Sequence, residues 1–120
     1  RDVQTAHKQW YFGKSLDGFT PIGPCIVTAD AFADYPPRLG IRSFVNGEKR
    51  QDSNTALQIF DIDHVIAELS QGMTLKAGTI IATGTPAGVG MGMDPPQFLK
   101  PGDVVRCEIE GIGTLTNPVE

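Results

Sequence analysis

The residues best suited to chemistry lie in Thr79-Ile-Ile-Ala-Thr-Gly-Thr-Pro-Ala-Gly-Val-Gly90, where a short apolar run opens into a loop of small residues. Thr83 and Thr85 each carry a hydroxyl that donates and accepts hydrogen bonds. The surrounding Gly84, Gly88 and Gly90 permit close approaches that a Cβ blocks. Ile80 and Ile81 favour an extended, buried strand, and a strand opening into such a mouth presents N–H groups to an anionic ligand. A second candidate is Lys14, a positive charge within Gly13-Lys-Ser-Leu-Asp-Gly-Phe19, which reads as a constrained loop bounded by glycines. Two phosphate motifs are excluded. A dinucleotide G-x-G-x-x-G starting at Gly88 needs glycine where Met93 stands, and a P-loop ending in Gly13-Lys14-Ser15 needs one where Lys8 stands.

Other polar groups carry less. His64 lies beside the apolar stripe of a helix with no partner nearby in sequence, and reads as a partly exposed helix histidine. Asp17 reads as an exposed turn aspartate. Glu108-x-Glu110 is a local pair of carboxylates, but strand alternation puts it on one face with Arg106, where a charge-balanced surface explains it better than a metal. Cys25 and Cys107 lack zinc-ligand spacing and are only two, so they are expected to be small buried thiols in a reducing compartment.

Several elements must position these groups. Arg1 to Gln9 is polar and helix-permissive, with Trp10-Tyr11-Phe12 behind it as an aromatic plug, and Pro21 and Pro24 lead into an apolar Cys25-Ile-Val27 strand. Leu39, Ile41, Ser43 and Val45 alternate with Gly40, Arg42 and Phe44 up to Asn46-Gly47, which predicts a hairpin returning through Glu48-Lys-Arg-Gln51. Ile62, Val65, Ile66 and Leu69 form the stripe of a helix over about 62–71, with Asp61 as N-cap and Gly72 expected to be left-handed after the last turn. Leu75-Lys-Ala-Gly-Thr79 and Leu99-Lys-Pro-Gly-Asp103 each read as a turn feeding a strand. Val104 to Ile109 and Leu115 to Asn117 are strands around Gly111-Ile-Gly113. The result is a mixed β domain with few helices.

With 120 residues, 40% hydrophobic and 20% charged, the composition is that of a globular domain, and no apolar run is long enough to span a bilayer. A net charge of −4 with ten scattered basic residues argues against a nucleic-acid face. The chain opens on Arg1 rather than Met, so its beginning is not read as a translation start.

Five blocks in order resemble the catalytic domain of the fumarylacetoacetate hydrolase family. They are Arg1-Asp-Val-Gln4, Gly13-Lys-Ser-x-Asp-Gly-Phe19, Val45-Asn-Gly-Glu48 with Arg50-Gln51, Ser70-Gln-Gly-Met-Thr-Leu75, and Thr83-Gly-Thr-Pro-x-Gly-Val-Gly90. Any one alone is weak; their joint order and spacing are specific. The resemblance implies a β-roll, here lacking its N-terminal part, so that residues 1–120 form the C-terminal part of one catalytic domain, and it implies a homodimer in the cytoplasm.

The family resemblance further implies a divalent cation, magnesium with manganese or calcium as substitutes. Its carboxylate ligands would come from upstream of Arg1, leaving no metal ligand among these residues. The implied reaction is hydrolysis of a carbon–carbon bond in a β-dicarbonyl acid, an acylpyruvate or fumarylacetoacetate-like compound, through a metal-stabilised enolate. Alternatives on the same scaffold are oxaloacetate decarboxylation and isomerisation or decarboxylation of a hydroxymuconate-type diacid; a non-catalytic binding subunit is the reading from another class. By resemblance Lys14 and Gln4 are catalytic, with Lys14 stabilising enolate charge or holding a carboxylate. Arg1, Thr85 and Thr83 are implied to bind the small keto-acid substrate.

Overall fold

The computed structural model describes all residues from Arg1 to Glu120. Its ordered centre is a four-stranded antiparallel sheet of β1 (Gly40–Val45), β2 (Glu48–Asn54), β3 (Val104–Ile109) and β4 (Gly113–Pro118), in the spatial order β2-β1-β3-β4. The predicted hairpin forms because Asn46 and Gly47 adopt φ of 51° and 84°. A two-residue turn with both residues left-handed matches the twist of the strands it joins. Asn46 then fixes the turn to the start of β3: its Nδ2 donates to Asp103 Oδ1 at 2.8 Å, and its Oδ1 accepts from Val104 N at 2.8 Å.

Alternation gives the sheet unlike faces. Ile41, Ser43 and Val45 face the same way as their cross-strand partners Ile109, Cys107 and Val105. Arg42, Phe44, Arg106 and Glu108 take the opposite face, where charge is balanced locally. There Arg42 pairs with Asp52 at 3.1 Å, Arg106 pairs with Glu108 at 3.2 Å, and the Arg106 guanidinium lies 4.1 Å from the centre of the Phe44 ring. At this exposure each such contact adds little to stability.

Three α-helices complete the regular structure: α1 (Asp2–His7), α2 (Trp10–Lys14) and α3 (Ile62–Ser70). Helix α3 occupies the predicted span, and the Asp61 side chain accepts from His64 N at 2.7 Å. This cap is worth about 1 kcal/mol. His64 is exposed and stacks on Phe60, with ring centres 4.7 Å apart. The end of α3 differs from expectation: Gly72 is not left-handed, because Gln71 stays helical and Met73 N donates to Leu69 O at 3.1 Å instead.

Other local expectations also change. Trp10, Tyr11 and Phe12 start a second short helix and are largely exposed, so they are not a plug. Lys14 is the last residue of that helix rather than a loop residue. Residues 25–27 and 79–82 form no strand. An extended segment becomes a strand only by pairing, and neither makes ladder hydrogen bonds, although Cys25 Sγ comes within 3.9 Å of the Ile112 carbonyl. Cys25 and Cys107 are exposed, not buried.

No hydrophobic residue is fully buried. The accessible area of 9475 Å² exceeds the roughly 6,300 Å² of a compact protein of this mass. The radius of gyration of 15.8 Å exceeds the compact value of about 14 Å. Apolar side chains such as Ile59 and Ile26 are 92% and 84% exposed. The sheet orders the site, but it has no core of its own beneath it. No helix is long and apolar enough to cross a membrane.

Candidate functional site

The implied site residues fall into two groups. Gln4 and Lys14 belong to the first, on the α1–α2 pair. These helices pack on each other, and every hydrogen bond made by residues 1–20 stays within that segment. Gly13 is buried where the helices meet, and a Cβ built on it would stand 2.5 Å from Gln4 Cγ and 3.1 Å from Gln4 N. Glycine at 13 is therefore what lets the Gln4 backbone and side chain lie against the turn carrying Lys14.

The Gln4 amide oxygen is buried and has no hydrogen-bond partner. Such a group costs about 1–3 kcal/mol unless a donor reaches it. The Lys14 ammonium has no carboxylate partner and lies 5.4 Å from the centre of the Trp10 ring. Asp17 is exposed and pairs with nothing, so it does not neutralise that charge. The Arg1 guanidinium is likewise without a carboxylate, while the Arg1 carbonyl accepts from Thr5 N at 2.9 Å.

The second group is the glycine loop. Thr83 and Thr85 flank Gly84, whose φ is 112°, and Thr83 makes no side-chain hydrogen bond. Thr85 is held: Gln51 Nε2 donates to Thr85 Oγ1 at 2.8 Å and to the Pro86 carbonyl at 2.9 Å. Gln51 Oε1 in turn accepts from Ser43 Oγ at 2.8 Å. The loop lies directly on β2. Gly88 has φ of 103°, and a Cβ there would collide with the Arg50 carbonyl oxygen. Sequence reasoning placed Gln51 only in the hairpin; the cross-strand neighbour Ser43 and a polar residue facing the loop were the signals available.

A groove of about 630 Å³ runs along the Val45–Cys107 face of the sheet, bounded by Gln51, Gly88 and Arg50. None of Arg1, Gln4, Lys14, Thr83 or Thr85 lines it. It meets the glycine loop through Gly88, Val89 and Gly90, with Gln51 of β2 beside them, so groove and implied site are neighbours rather than one cavity.

The charges near the groove are settled within the fold. The Asn46 amide and the Lys100 N–H hold the Asp103 carboxyl below its ordinary value of 3.8. On the opposite face the Lys49 ammonium does the same for Asp52. A divalent cation has no ready cage here, since no three His, Cys, Asp or Glu side chains converge. Of the Glu-x-Glu pair, Glu108 is taken by Arg106, and Glu110 accepts from Gly40 N at 2.9 Å. The residues present do not by themselves fit a magnesium site, which needs several oxygen ligands in near-octahedral array.

Residues 1–120 match the family model of the fumarylacetoacetate (FAA) hydrolase C-terminal region. The chain is 50% identical over 119 residues to the oxaloacetate tautomerase YisK of Bacillus subtilis, covering 99% of this chain and 39% of that protein. Among solved structures it resembles a fumarylacetoacetate hydrolase from psychrophilic Exiguobacterium antarcticum, with TM-score 0.93 and 54% identity over 100% of this chain and 43% of that one. It also resembles a maleylpyruvate hydrolase from Sphingobium sp. SYK-6 in complex with manganese (II) ion and pyruvate, with TM-score 0.77 and 43% identity over 89% of this chain and 38% of that one. The chain thus spans about two-fifths of the length of these relatives.

Proposed function

We propose that this chain, which belongs to the fumarylacetoacetate hydrolase family, serves an enzyme that acts on a small 2-oxo acid through its enol or enolate, with oxaloacetate-type keto–enol interconversion as the reaction. One observation carries this reading: the unpaired Lys14 ammonium stands on the turn against which Gln4 presents a buried amide oxygen lacking a donor. A cation placed where charge develops stabilises an enolate oxygen or holds a carboxylate. The amide oxygen suits a group that brings its own O–H, such as an enol hydroxyl or a water. Arg1, Thr85 and Thr83 then hold the acid end. Interconversion is preferred because the 50%-identical Bacillus relative is named a tautomerase of oxaloacetate.

Hydrolysis of a carbon–carbon bond in a β-dicarbonyl acid is the second reading. It is favoured by Gln4, whose unsatisfied oxygen could orient an attacking water, and by the maleylpyruvate hydrolase fold neighbour. Both reactions call for a divalent cation, in keeping with the manganese in that neighbour. Its ligands would have to come from outside these residues. A cytoplasmic homodimer belongs to the same proposal.

The test is a panel on the full-length protein with Mg²⁺ or Mn²⁺, following enol absorbance of oxaloacetate, release of carbon dioxide from it, and cleavage of an acylpyruvate. Accelerated enol decay without carbon dioxide is expected. Acylpyruvate cleavage alone would move the assignment to hydrolysis, and no turnover of any member would make the protein a binding subunit.

A further inference from the structure

We propose that Gln51, braced by Ser43, is a positioning residue that orients and polarises the Thr85 hydroxyl as a hydrogen-bond donor toward a ligand carboxylate. This rests on the reading of Thr85 as a residue that holds the acid end of the substrate. The direction of each hydrogen bond follows from one fixed point. The Pro86 carbonyl can only accept, so the Gln51 group 2.9 Å from it must be the amide nitrogen rather than the oxygen. That nitrogen carries two hydrogens and no free lone pair. Its second hydrogen reaches Thr85 Oγ1 at 2.8 Å, and Thr85 is the acceptor. The amide oxygen on the other side accepts from Ser43 Oγ at 2.8 Å, and Ser43 and Gln51 are direct cross-strand partners on β1 and β2.

The Thr85 hydroxyl makes no further hydrogen bond within the chain, and Thr85 is exposed. Its proton is therefore left for solvent or a ligand. A hydroxyl that is already accepting is polarised into a better donor, and a carboxylate or carbonyl oxygen is what such a donor selects. An ammonium or N–H at the same position would be limited to the one lone pair that remains. The loop cannot easily drift from this arrangement, because Gly88 lies against the β2 backbone with Arg50 O and Gln51 Cγ beside it. A chain of hydrogen bonds thus runs from the sheet to the acid-binding loop, set by residues that need not touch the ligand.

The test compares Thr85→Val, Gln51→Met, Ser43→Ala and the double variant Thr85→Val/Gln51→Met in the full-length protein. The readouts are KM and kcat for oxaloacetate and the Kd of pyruvate by titration calorimetry. Thr85→Val should raise KM and Kd about tenfold or more, the scale of a hydrogen bond to a charged group. Gln51→Met should raise them about three- to tenfold with kcat within about twofold, and the double variant should be no worse than Thr85→Val alone. A general loss of structure would not show that non-additivity. Should Gln51→Met fail to fold, Ser43→Ala takes its place, with an expected rise of about twofold that vanishes in the Thr85→Val background.

If Thr85→Val weakens binding while neither Gln51→Met nor Ser43→Ala does, or if their effects simply add to it, the positioning role is overturned and the acid-binding role of Thr85 stands. If Thr85→Val itself changes nothing, the acid-binding role falls and the positioning role with it. A wild-type protein that binds neither compound would overturn the proposed function as well.

Discussion

At the scale of single residues, Lys14 contributes little to folding and much to the proposed chemistry. Its ammonium forms no ion pair and stands 5.4 Å from an exposed Trp10 ring, a contact worth about 0.5–1 kcal/mol at most. Lys14→Met should therefore lower kcat of the full-length enzyme about 100-fold or more while moving Tm by only a few degrees. An unchanged kcat with a proven substrate would remove its catalytic role. Gly13→Ala tests the same turn from behind. Its Cβ would meet Gln4 Cγ at 2.5 Å, so Gln4 must shift, and kcat should fall roughly tenfold or more even though Lys14 is intact. Lys14, Gln4 and Thr85 were legible in the sequence because ordered blocks of residue types carry them. Gln51 lies in such a block too, but its role was not legible, because it rests on a bond to a residue 34 positions away. The cysteines were misread for a related reason: residue type says nothing of whether a covering layer exists.

Among the elements, the phrase used twice shows what local sequence decides and what it does not. Lys76 N donates to Thr79 Oγ1 at 3.1 Å and Lys100 N to Asp103 Oδ2 at 2.8 Å, and Gly78 and Gly102 take φ of 85° and 91°. The turns are alike, yet only the second feeds a strand, because β3 finds β1 and β4 beside it and residues 79–82 find no partner. Turn chemistry was readable; pairing was not. Asn46 joins the two hairpins through its left-handed backbone and two side-chain hydrogen bonds. Asn46→Ala should cost about 2 kcal/mol in urea unfolding of the full-length protein, and Asn46→Gly less, since it keeps the turn conformation. Asp103 adds a pH dependence. Its pKa is depressed in the fold, first by the Asn46 amide and then by the Lys100 N–H, so its stabilisation is complete above the ordinary value of 3.8 and is lost as pH falls below it. Asp103→Asn should be less stable than wild type at pH 6, and the difference should shrink toward pH 3. A constant difference across that range would contradict the assignment.

For the whole molecule, the decisive quantity is uncovered apolar surface. With an accessible area about half again that of a compact protein of its mass, and no fully buried hydrophobic side chain, these 120 residues cannot offset the conformational entropy of ordering by burial alone. The apolar stripe of α3 shows this in detail, for Ile62, Val65 and Leu69 are only half-buried and Ile66 remains 41% exposed. Such faces go with a chain that spans 39% and 43% of the length of two of its relatives, and the sheet edge at β4 and the exposed aromatics of α2 are further surface that additional protein would cover. The segment expressed alone should therefore bind a hydrophobic dye such as ANS and unfold without a cooperative transition. The full-length protein should unfold cooperatively, and light scattering should give the mass of a dimer. A sharp two-state transition in the isolated segment, without dye binding, would mean that the apolar faces seen here close on one another in solution, and the site would then need no covering layer to hold its Gln4 and Thr85 geometry.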